Sequence, residues 1–204
     1  MVKFVEQKEE FLQERKKFNH VFKENAILPE NVYNDNFKIF IAFEFDLFFW
    51  EFFFFRINEF VKSIGDSNYT YYVVEPSPEK YFYRNFKKYG AGIIDVDSTL
   101  EEYSEFINYR LSKKYADTLQ ESPDVLTLFS PTSTWGLYAD RNWEIGIVGF
   151  ENEEVKEIFI NSFNESKRIF TTIASHIQDL DDMLQFPPKI KKEYEELLSN
   201  FDGN

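Results

Sequence analysis

The sequence predicts an α+β fold, with a mixed sheet of about five or six strands, an antiparallel C-terminal hairpin and helices packed against it. Three observations predict it. Short apolar runs between 69 and 150 have the length and composition of strands. The segments on either side, 3–64 and 151–201, repeat their apolar residues mostly at helical spacing. Gly and Pro, at seven each in 204 residues, are too scarce for a turn-dense all-β chain. The chain reads as a single α+β domain over 1–204, with N-terminal helices in 3–64, a mixed α/β core in 69–150 and C-terminal helices in 151–201.

Residues 3–24 read as an amphipathic helix, with Phe4, Phe11, Phe18 and Phe22 on one face. Pro29 and the run NVYNDN mark a loop. In 37–45 every odd position is apolar, which suggests a strand, although a helix through the whole aromatic block stays open. From Leu47 the alternation fails in LFFWEFFFF, and a helix over 47–64 is expected. Asp46 would cap it, Gly65 would end it, and Glu51, Asn58 and Lys62 would form its polar stripe. Phe48, Phe49, Phe52, Phe53 and Ile57 should then be mostly buried, with Glu51 in solvent. This block is no membrane span. From 46 to 56 charged residues hold its apolar runs to four, against the ~20 residues needed to cross a bilayer.

YTYYVV (69–74) and GIIDV (92–96) read as strands. Between them Ser77, Pro78 and Gly90 fit the N-cap, first position and terminator of a helix. A second helix, 98–115, opens with a capping box from Ser98 to Glu101. VLTLFS (125–130), WGLYAD (135–140) and WEIGIVGF (143–150) are antiparallel strands, the last two joined around Asp140-Arg141-Asn142. Apolar residues from Val155 to Leu184 follow a four-three alternation. They form one long helix, or two meeting near Asn164. After Pro187 and Pro188 a last helix carries Ile190, Tyr194, Leu197 and Phe201 on one face.

Composition excludes some chemistry outright. There is no Cys, hence no disulfide, thiolate nucleophile or Cys-ligated metal. The net charge of −13 disfavours nucleic acid and anionic membrane surfaces and suits a basic protein partner. The charged N-terminus lacks a signal-peptide pattern, and a cytoplasmic location is expected. No phosphate loop, dinucleotide fingerprint or nucleophile elbow occurs, and no cofactor or metal is implied. His20 reads as a solvated surface residue. His176 with Asp179 has the spacing of a helical metal pair, but the other ligands such a site needs are missing, so a polar helix face is the simpler reading. Carboxylates are abundant, so a carboxylate-dependent hydrolase of unknown substrate is the alternative class.

The acidic excess is local. Residues 91–130 carry eight acids against three bases, and 151–204 twelve against six. The clusters are Asp95, Asp97, Glu101, Glu102 and Glu105, then Asp179, Asp181 and Asp182. Part of the first complements a helix N-terminus. The hairpin tip adds Asp140, Arg141 and Glu144 as a recognition surface. The segment STWGLYADRNWEIGIVGF (133–150), with its W-G-x-Y-x-D-R-x-W-E pattern, resembles small acidic bacterial proteins that include immunity proteins of polymorphic toxin systems. The resemblance covers under a tenth of the chain and carries over no functional residue. It implies binding rather than catalysis. The expectation is a non-catalytic acidic module that docks a basic protein, such as a toxin it neutralises, as a monomer or as a homodimer seamed along 155–184.

Overall fold

The computed structural model describes residues 1–111 and 118–201. Its strands are β1 (Val2–Phe4), β2 (Ile39–Glu44), β3 (Asn68–Glu75), β4 (Ala91–Asp95), β5 (Val125–Phe129), β6 (Trp135–Asp140) and β7 (Ile145–Phe150). They form one open sheet in the order β1-β4-β3-β5-β6-β7-β2. The fold is α+β, but the sheet departs from the expected one in two ways. It has seven strands, and every neighbouring pair is antiparallel rather than mixed. The expected β-α-β-α order of 69–115 describes the connections and not the pairing. Strand β3 lies between β4 and β5 and is antiparallel to both. The seventh strand is β1, at the start of the segment expected to be helical. Three residues give no periodic signal, and the partner β4 lies some 90 residues further on (Val2 opposite Ile94, Phe4 opposite Gly92). The helix follows at Lys8–Val21 (α1). Alternation in 37–45 does mark a strand, β2, at the other edge of the sheet.

Strand residues are apolar on both faces, so the sheet needs helices on both. One face carries Tyr69, Tyr71, Leu126, Leu128, Trp135, Leu137 and Val148, under α2 (Glu51–Ser63), α4 (Leu100–Ile107) and α5 (Glu153–Ser162). The other carries Tyr72, Phe129, Tyr138, Ile145 and Ile147, under α1, α6 (Ile173–Leu184) and α7 (Pro188–Phe201). On this second face the loop before β2 is pinned to the sheet. The buried Tyr33 hydroxyl donates to the carbonyls of Ile147 (2.7 Å) and Gly136 (3.2 Å).

The Phe run starts as a 3₁₀ turn (Phe45–Phe49) and continues as α2. Phe48, Phe53 and Ile57 are buried, Phe49 and Phe52 half-buried, and Glu51 is exposed. Trp50 and Phe55 face outward. Two expectations fail here. Trp50, not Asp46, occupies the N-cap, because the 3₁₀ turn takes up the residues between. Asn58 of the polar stripe is buried, since α4 and α5 cover the helix on two sides. Gly65 ends the helix in the left-handed region at φ 87°, as expected.

The cap of α4 sits one residue beyond the expected one. Thr99 accepts from the Glu102 amide, and the Glu102 carboxylate accepts from the Thr99 amide. The Ser98 amide is still bound to the carbonyl of Asp95 in the preceding turn. Replacing Thr99 with Ala should therefore cost about 1 kcal/mol in a chemical denaturation midpoint. Ser98→Ala should be close to neutral, because the buried Ser98 hydroxyl has no partner among the described residues. The last part of the expected helix, 112–115, lies outside the described residues. Ser77 caps the segment after β3 as expected, but Pro78–Tyr83 winds as a π-helix before a short α3 (Arg84–Phe86).

The apolar stripe of 155–184 divides between the two faces. A 3₁₀ turn (Asn164–Ile169) separates α5 from α6, and Asn164 takes φ 48°. Val155, Phe159, Phe163 and Phe170 pack on the α2 face, whereas Ile173, Ile177 and Leu180 pack on the α1 face. The stripe is two helices, used inside its own chain as far as Leu180. No helix among the described residues is long and apolar enough to cross a membrane.

Candidate functional site

At the hairpin tip Asp140 and Arg141 are engaged inward, whereas Glu144 is exposed. Asp140 is 4% exposed, and its carboxylate accepts from the amides of Asn142 (2.9 Å) and Trp143 (3.4 Å). Burial pushes this carboxyl up to about 6, against those two amide donors, with Asp124 and Glu75 raising it further. Arg141 donates to the carbonyls of Pro123 and Gln120 and lies 4.9 Å from the Phe45 ring. Both residues hold the β6–β7 turn against its neighbours.

The Asp140 shift has a signed consequence. A folded-state value above the unfolded one means stability that is full below pH ~3.8 and is lost as pH rises through about 6. Asp140→Asn keeps an oxygen for the two amides and removes the buried charge. The variant should match the parent near pH 4 and exceed it by about 2 kcal/mol near pH 7.5, read by urea unfolding at both values. Equal differences at the two pH values would contradict this account.

The other acids serve mixed purposes. Asp95 accepts from the Asp97 amide, and Asp97 pairs with Lys62 at 2.5 Å, which holds its carboxyl below the ordinary range. Glu102 closes the α4 cap. Asp181 pairs with Lys191 at 2.6 Å and accepts from the Phe186 amide, joining α6 to α7. Asp182 accepts from Gln178 one turn earlier. Glu101 and Glu105 are exposed on α4 without an ion pair among the described residues.

Glu144 and Asp179 stand apart from these, because the fold brings them together. With Glu44, from the end of β2, they line a cleft of about 810 Å³ between α6, the β6–β7 turn and the segment 168–171. Leu47, Ile169, Phe170 and Leu180 are among its apolar lining, with Met183 and Leu184 at the open end of α6, 69% and 54% exposed. None of the three carboxylates forms an ion pair among the described residues, and Arg168 is the cation in the lining. The cleft is placed by backbone. Ala42 of β2 exchanges two hydrogen bonds with Thr171 (2.8 and 2.9 Å), which draws 168–171 along the sheet edge. Glu144 sits at φ 53° just before β7.

His176 lies in the same lining, 8% exposed, and is not the polar helix face expected for it. Its Nε2 is 3.0 Å from the carbonyl of Glu144, so that nitrogen carries the proton and donates. Burial lowers its pKa, against the Glu144 carbonyl, Glu44 and Asp179, so the ring is neutral near pH 7. His20 is exposed, as expected. Among the described residues no group of three or more His, Asp or Glu side chains is placed to hold a metal ion. Glu44 and His176 were not among the expected site residues. Their cleft joins segments about 100 and 30 residues apart, which local charge counting does not see. Comparison with family models, curated proteins and solved structures returns no match.

Proposed function

We infer that the protein is a non-catalytic acidic binding module that docks a basic protein partner and acts by steric and electrostatic occlusion. The observation that carries this reading is the convergence of Glu44, Glu144 and Asp179, without ion-pair partners among the described residues, around an apolar-floored cleft in a chain of net charge −13. Carboxylates held this way gain from a cationic surface, and the wider acidic field accelerates its approach. The W-G-x-Y-x-D-R-x-W-E pattern of 133–150, read as resembling immunity proteins of polymorphic toxin systems, leads to the same proposal, with a basic toxin as the partner. The hydrolase alternative needs two facing carboxylates, one with a raised pKa, in a cleft. Here the raised carboxyl, Asp140, points into its own turn and is not part of the cleft lining. Affinity capture from the native host at rising salt tests the proposal. A basic protein whose retention weakens with salt is expected, and a toxin-like reading frame directly upstream would identify it. A neutral or acidic partner held independently of salt would refute the reading.

A further inference from the structure

Resting on the docking reading, we propose that the cleft beside α6 is the point of contact and receives an extended basic segment of the partner, with Arg or Lys alternating with apolar residues. Its lining has two chemistries side by side. Glu44 and Glu144 stand at the strand ends and Asp179 on the helix, all three exposed in the cleft lining. Leu180, Met183 and Leu184 of α6 and Leu47 of the 3₁₀ turn supply apolar lining. A cation alone would leave the apolar part unused, and an apolar helix alone would bury carboxylates without partners, which is costly. An Arg or Lys side chain satisfies both, since its aliphatic stem packs on apolar surface while its head pairs with carboxylates. The volume, about 810 Å³, exceeds one such side chain and admits flanking backbone. A second copy of this chain is a poor occupant, because its own charge of −13 would meet the same carboxylates.

Asp179 and Glu144 are one helix turn and one backbone carbonyl away from His176, whose neutral ring braces α6 against the β6–β7 turn. The acids are therefore held on elements tied to each other, so the site is formed before the partner arrives.

The test is a nuclear magnetic resonance titration of the labelled full chain with a short peptide alternating Arg and Leu. Its controls are the same peptide with Glu for Arg, and arginine amide. The amide signals of Glu144, Thr171, His176 and Asp179 should shift with the Arg peptide and not with the Glu peptide. Arginine amide should bind far more weakly. The triple variant Glu44→Gln, Glu144→Gln, Asp179→Asn should lower peptide affinity on the order of tenfold, while its circular dichroism stays that of the parent. The variant Glu101→Gln, Glu105→Gln should leave affinity unchanged. If instead that second variant weakens binding and the triple variant does not, the cleft is overturned and docking moves to the α4 face. Absence of binding to any basic probe would overturn both the cleft and the docking reading. Arginine amide binding as tightly as the peptide would overturn the peptide occupant in favour of a small cation. A concentration-dependent dimer in sedimentation, abolished by Met183→Ala with Leu184→Ala, would replace it with a second copy.

Discussion

Replacing Phe53 with Ala should destabilise the protein by about 4 kcal/mol and lower the thermal midpoint by about 10 °C. Phe53 is fully buried, with ring centroids 5.0 Å from Phe43 of β2 and 5.3 Å from Phe163 at the end of α5. It is thus a three-way contact between the sheet, α2 and α5. Truncation loses the transfer energy of the ring and leaves a cavity whose rigid aromatic walls cannot collapse into it. Trp50→Ala and Phe55→Ala, on exposed positions of the same run, should each stay within about 0.5 kcal/mol of the parent. Equal costs at buried and exposed positions, measured by denaturant unfolding, would mean that the run does not form the core.

A comparable loss, about 3 kcal/mol, is expected for Gly149→Ala on the opposite face of the sheet. A Cβ there would lie 2.6 Å from Cε1 of Tyr33 and 2.8 Å from its Cδ1. The ring cannot swing away cheaply, because its hydroxyl is tied to the carbonyls of Ile147 and Gly136. Gly149 also pairs with Gly136 across β6–β7, so backbone rather than side chain fills the space beneath Tyr33. Tyr33→Phe alone should cost about 1 kcal/mol. In the double variant the freed ring can shift, so the combined loss should fall short of the sum by about 1 kcal/mol. Strict additivity in a double-mutant cycle would show that the hydroxyl does not pin the ring.

Where local pattern decides structure, the sequence was informative. The cap at Ser77 and the stop at Gly65 depend on near neighbours, and both are present. The patterns of 37–45 and 155–184 each left two readings open, which strand β2 and the turn at Asn164 decide. What depended on distant partners was not legible. Strand β1 exists because β4 offers it an edge, and the antiparallel sheet follows from β3 lying between β4 and β5. The one-residue shift of the cap from Ser98 to Thr99 follows from the turn after β4 holding the Ser98 amide. The acidic clusters were visible as counts, but counts do not separate Asp181, engaged with Lys191, from Asp179, turned to a cleft. Glu44 gives no local signal of a site, because β2, which ends there, carries it along the sheet edge to segments distant in sequence.

The central claim is that the Phe run is interior and that binding happens on the acidic cleft. Amide hydrogen exchange of the chain, free and with its captured basic partner, tests both halves at once. Amides of Phe53–Val61 should exchange slowly in the free protein and change little on binding, because α2 is already covered by α4 and α5. New protection should appear at Glu144 and across Thr171–Leu184. Fast exchange in α2 of the free chain that is suppressed only when the partner binds would contradict the account and make the Phe run the interface.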